Sequence, residues 1–279
     1  MKISVASLAS TVFVFAAILA SLALAANLQP KTSQAFDRYV KLTEAQVDSE
    51  LASSQPFLWV DRLPEEKHAA AEAQLRNGDV VIEQLETRDD GHQIECPDGM
   101  IHHWIATVFI PGAALEQTLA LVKDYDHHQD YYKPDVMQSK ILRQDGDDYL
   151  VHLRFYKHKI ITSIIDTDHQ VHYASVDAMR AWSRSHTTRV QEVENAGKAE
   201  ERLLPEGQDD GFMWRMDTYW RFQEKDGGTY VECQTISLTR DIPTGLGWLI
   251  RGLVTSIPRE SLTFTLATTR SAVLQHIAK

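Results

Sequence analysis

The stretch Phe212 to Thr239, FMWRMDTYWRFQEKDGGTYVECQTISLT, decides how the rest of the chain is read. Two runs that alternate large apolar with polar residues flank Lys225-Asp226-Gly227-Gly228, a turn sequence. A period of two marks a strand, because successive side chains leave opposite faces of the backbone. Trp214, Met216, Trp220 and Phe222 therefore share one face of the first run. Glu232, Gln234, Ile236 and Leu238 share one face of the second. Two strands joined by a Gly-rich turn predict an antiparallel hairpin.

The same texture extends toward the N-terminus. Met137 to Arg143 and Asp148 to Tyr156 read as strands around Gln144-Asp145-Gly146-Asp147. Lys159 to Ile165 and Gln170 to Val176 read as two more around Asp166-Thr167-Asp168-His169, and Ala181 to Val193 as one long strand. Further upstream, Val80 to Ile82 and Met100 to Ile110 read as strands, and Pro111-Gly112 leads into an amphipathic helix to about Lys123. Before Asp79 the pattern is helical. Gln34 to Ser53 lacks Gly and Pro, and a second helix from Pro64 to about Arg76 ends at Asn77-Gly78, where Gly suits a left-handed cap. After Thr239 a long helix begins. Leu246, Leu249, Ile250, Leu253, Val254 and Ile257 form a stripe that Leu262, Leu266, Val273 and Ile277 continue, with a kink or break expected at Ser256-Ile257-Pro258.

This order predicts an α+β fold in which a curved antiparallel sheet wraps around a long C-terminal helix, a helix grip, with a helical N-terminal extension. The chain divides on this reading into 1–25, a signal peptide; 26–78, the helical extension; and 79–279, the helix-grip domain. Lys2, the apolar run from Leu8 to Leu24 and the small-x-small site Ala23-Leu24-Ala25 have the three parts of a cleavable export signal. The expected location is periplasmic or extracellular, with no integral membrane segment after cleavage. The formal net charge of −11 argues against a nucleic-acid partner. The two cysteines, Cys96 and Cys233, could pair in an oxidising compartment or stay apart.

Ala106 to Ala113, then Asp124-Tyr125, Tyr132-Lys133-Pro134-Asp135-Val136 and Ser237 to Pro243 before the last helix, resemble START-like, Bet v 1-like domains (the SRPBCC superfamily) over about Ile101 to Ile277. The resemblance implies a cavity for a hydrophobic ligand between sheet and terminal helix. It implies a lipid-like, quinone-like or polyketide-like small molecule as partner, and either a carrier or a cyclase, aromatase or dehydratase acting in the same cavity. An envelope interaction protein with a filled cavity is the third reading. Candidate ligand-binding residues are Trp214, Met216, Trp220, Phe222, Glu232, Tyr125, Tyr132, Trp248, Leu253 and Ile257.

The sequence offers no confident catalytic set, and a binding protein is favoured over an enzyme. Glu232 is the best candidate acid, since a carboxyl buried beside Ile236 and Leu238 needs a partner or a raised pKa. The twelve histidines show no metal-ligand spacing, and no cofactor is expected. Arg180, Trp182, Arg184 and His186 share a face that could meet an anionic group, or simply be the polar outside of the sheet, which is the favoured reading.

Overall fold

A computed structural model describes residues 26–158, 162–242 and 247–278, with the side chains of 247–254 outside the description. Eight main strands are β1 (Val81–Gln84), β2 (Gly99–Pro111), β3 (Val136–Asp145), β4 (Asp148–His158), β5 (Thr162–Asp177), β6 (Arg180–Glu194), β7 (Arg215–Lys225) and β8 (Gly228–Arg240). They lie in the order β1-β2-β8-β7-β6-β5-β4-β3, every pair antiparallel, and Arg202–Leu203 adds a short pairing to β6. Helix α1 spans Pro30–Ala52, α2 Glu65–Asn77, α3 Leu115–Lys123 and α4 Gly247–Ile277.

Helix α4 lies on one face of the sheet. Its Leu262, Leu266 and Val273 pack with Ala106, Val108 and Ile110 of β2, Val231 of β8, Phe222 of β7 and Ala181 of β6. Burying one such side chain contributes about 1.5–3 kcal/mol. This is the expected grip of sheet on terminal helix. The helix runs on through Pro258 without the break expected at Ser256. Much of the apolar stripe, from Leu246 to Val254, lies outside the described side chains.

The N-terminal helices cover the opposite, convex face. Phe36, Tyr39, Val40 and Val47 of α1 pack on Ile236 and Leu238 of β8 and on Tyr219 of β7. Leu75 of α2 and Phe57, Leu58 and Val60 from the preceding loop pack on Phe109 and Tyr230. Gly78 ends α2 with φ of +90°, the left-handed conformation that its position predicts.

One expectation about the strands is corrected, and a bulge departs from strict alternation. Asp166-Thr167-Asp168-His169 is no turn: it lies inside β5, which is one 16-residue strand. Its acids are satisfied across the sheet. Arg154 Nε donates to Asp166 Oδ1 at 2.6 Å, and Arg189 Nε to Asp168 Oδ2 at 2.7 Å. Opposite Asp168 and His169 the register of β6 slips at Thr188, a β-bulge. The bulge moves Arg189 to the convex face, where Arg180, Trp182, Arg184 and His186 also lie, and places Val190 and Glu192 on the concave one. That face of β6 is partly covered by α1, with Arg184 on Asp48 at 2.5 Å.

Candidate functional site

Strand register arranges the concave face in rows across β2, β8, β7 and β6. The row Val108, Val231, Phe222 and Ala181 is apolar and sealed by α4. The next, Ala106, Cys233, Trp220 and Ser183, is mixed. Then come Trp104, Thr235, Thr218 and Ser185, followed by His102, Ser237 and Met216. Thr187 of β6 joins the last row, its hydroxyl accepting from Met216 N–H at 3.0 Å. The face therefore grades from aliphatic to hydroxylated along the strands.

Packing follows the same gradient. Val108, Val231 and Phe222 are fully buried, whereas Trp104, Met216, Thr218 and Trp220 are only half-buried. The Trp220 and Phe222 rings stack with centroids 6.0 Å apart, so one of the pair faces the packed end and the other the partly open end. Leu153 and Phe155 of β4 are likewise half-buried.

Two imidazoles line the hydroxylated end in neutral form. His102 Nε2 bonds Thr239 Oγ1 at 2.9 Å, and His169 Nε2 bonds Thr167 Oγ1 at 2.8 Å. Thr167 Oγ1 also donates to Leu153 O at 3.1 Å, and Thr239 Oγ1 to Arg240 O at 3.3 Å. Burial pushes both rings down to about 4.

The candidate residues fall on both faces of the sheet. Met216, Trp220 and Phe222 lie on the concave face. Tyr125 and Tyr132 also lie on that side, buried, with Tyr125 Oη on Tyr173 Oη at 2.7 Å and Tyr132 Oη on Thr269 Oγ1 at 3.0 Å. Ile257 is half-buried on α4, and the side chains of Trp248 and Leu253 lie outside the description. Trp214 and Glu232 are on the convex side, not in the grip. Trp214 precedes β7, packs near Phe36, and donates Nε1–H to Asp209 at 2.9 Å.

Glu232 is buried under the N-terminal segment. It accepts from Trp59 N–H at 2.6 Å and Thr107 Oγ1 at 3.3 Å, with Arg221 Nη1 at 3.8 Å. Burial raises its pKa to about 7 despite Arg221 beside it. Arg221 in turn donates to Phe57 O at 2.9 Å and Glu50 at 2.7 Å. This is a latch holding the 53–63 loop to the sheet. The reading erred because Ile236 and Leu238 are indeed buried, but against α1 instead of α4.

The residues that reading missed are Trp104, Thr218, Thr235 and Ser237. The signal was present in the alternation of β8: once Glu232 is assigned outward, Cys233, Thr235 and Ser237 turn inward. Among the described residues no group of three or more His, Cys, Asp or Glu side chains is placed to hold a metal ion. Both cysteines are free thiols; Cys233 belongs to the concave core, and Cys96 packs at the edge of the α1 cluster on the convex side. No described helix is long and apolar enough to cross a membrane.

A meander of long strands thus grips a terminal helix, with a strand and a short helix leading into it. The fold is a helix grip. Solved structures similar to this chain include a STAR-related lipid transfer protein fragment from Xanthomonas axonopodis, 17% identical, covering 68% of this chain and 98% of that one at a TM-score of 0.42. The Zhui aromatase/cyclase from Streptomyces sp. R1128 is 12% identical, covering 64% and 96% at 0.44. Human STARD10 is 8% identical, covering 77% and 82% at 0.44. No family model matches the chain, and no curated protein matches it.

Proposed function

We propose that this chain is an exported carrier that holds a hydrophobic or amphipathic small molecule between the concave face of the sheet and helix α4. One observation carries the reading: Trp104, Met216 and Trp220 face the helix side yet remain half-buried, while the row beside them is closed by Leu262, Leu266 and Val273. Large apolar side chains left partly open within a concave surface are the usual lining of a small-molecule site. A carrier needs no acid–base pair, and Glu232, the best candidate acid, is engaged by the N-terminal segment on the other side of the sheet.

Native mass spectrometry of the mature protein, purified gently from the exported fraction of its own host, tests the proposal. A stoichiometric adduct that organic extraction removes is the expected result, with a mature N-terminus at Ala26. A clean apo mass that persists after incubation with lipid and quinone extracts would overturn it.

A further inference from the structure

Among the described residues, the strands that carry the hydroxylated end of the concave face, β2, β8, β7 and β6, bring no lysine or arginine to it, and Lys157 on the same side of β4 is held by Asp135. We propose that the ligand's polar end is an uncharged hydroxyl or carbonyl group, bound over the strip formed by Thr218, Thr235 and Ser237, with its apolar body over Trp104 and Trp220. The inference rests on the carrier reading above and names the class of molecule carried.

Thr235 and Ser237 are 9% and 7% exposed and stand on neighbouring rows of β8, with Thr218 paired to Thr235 across β7. Among the described residues none of the three hydroxyls has a hydrogen-bond partner, and none is among the sealed polar atoms of the interior. A hydroxyl withdrawn from bulk water needs a partner, because leaving it unmade costs most of its desolvation. Of the neighbouring polar side chains, His102 is paired with Thr239, His169 with Thr167, and Thr187 with the backbone of Met216, whereas Trp104 Nε1 and Ser183 Oγ are sealed in the interior. The three hydroxyls are not sealed in this way, so they are the groups a guest can reach.

The guest's charge follows from what surrounds them. On the described concave faces of β2, β8, β7 and β6 there is no lysine or arginine. The charged residues there are acids at the ends of the face, Glu224, Glu192 and Glu194, the last paired with Arg202. Glu224 accepts from Leu115 N–H at 2.6 Å, and Glu192 from Phe212 N–H at 2.8 Å and Asp210 N–H at 3.1 Å. An anionic phosphate or carboxylate placed here would be buried without a cation, and unpaired buried charge is strongly unfavourable. A serine or threonine hydroxyl both donates and accepts, so the strip fits an alcohol, an ester or a quinone carbonyl equally well.

The test measures binding of four probes of matched chain length to the purified mature protein by tryptophan fluorescence: monoolein, oleyl alcohol, oleate at pH 8, and lyso-oleoyl phosphatidate. Monoolein and oleyl alcohol are expected to bind at least ten-fold more tightly than the two anions. The double variant Thr235→Val/Ser237→Ala should weaken monoolein about ten-fold. It should leave octadecene, which has no polar end, unchanged, and that arm controls for misfolding. Equal or tighter binding of the anions, or a double variant that treats monoolein as wild type does, would overturn the inference while sparing the carrier. Failure of every probe, octadecene included, would overturn both.

Discussion

Glu232 is a carboxyl whose role is decided by which side of a strand it leaves. Its folded pKa of about 7 lies above the ordinary value of 4.5, so the folded state holds the proton more tightly than the unfolded one. The stability it contributes is full below about pH 4.5 and is lost as pH rises through 7. Glu232→Gln should therefore remove part of the fall in stability between pH 5 and pH 8, on the order of 2–3 kcal/mol, as read by urea unfolding at both values. Glu192, raised to about 8 by burial and by Asp209 nearby, acts with the same sign and remains in the variant, so the difference between the two proteins isolates Glu232. Monoolein binding by Glu232→Gln should match wild type, since the carboxyl is on the far side of the sheet; a loss of ten-fold or more would place it in the site after all. The sequence marks Glu232 as unusual from its apolar neighbours alone, but not which helix those neighbours meet.

Among elements, the strands with clean alternation and Gly-containing turns are legible in the sequence. Gly78 and the Lys225–Gly228 turn are examples. Gly78→Ala should cost about 1–2 kcal/mol, because φ of +90° burdens any residue with a Cβ and the new atom would lie 2.8 Å from the Arg270 guanidinium. Thermal unfolding measures it. The stretch Asp166 to His169 misleads because four polar residues in a row look like a turn, while cross-strand Arg154 and Arg189 make the same residues good strand neighbours. The bulge at Thr188 is invisible to a strict period of two, and it carries Arg189 to the other face. Helix α1 is legible as a helix, but its docking site is not: a stripe of Phe36, Val40 and Val47 fits either face of a sheet. Phe36→Ala, which empties a fully buried site on the convex face, should cost about 3–5 kcal/mol in denaturant unfolding with little effect on ligand affinity.

For the whole molecule, a bound guest stabilises only the folded state. At a hundred-fold excess over Kd, a single guest should raise stability by about 2.7 kcal/mol, a shift in Tm of several degrees read by calorimetry. The convex face has another consequence, in the order of assembly. Trp59 bonds Glu232 from 173 residues away, Phe57 meets Arg221 across 164, and Glu44 meets Tyr219 across 175. Contacts between such distant parts of a chain form slowly, because a large loop must close before they give any stabilisation. The helix made first thus lacks the Ile236 and Leu238 part of its apolar seat until β8, the last strand made, is in place. A nascent chain stopped before Gly228 would hold α1 with part of its apolar stripe uncovered, and the protein would complete its folding only near the end of synthesis.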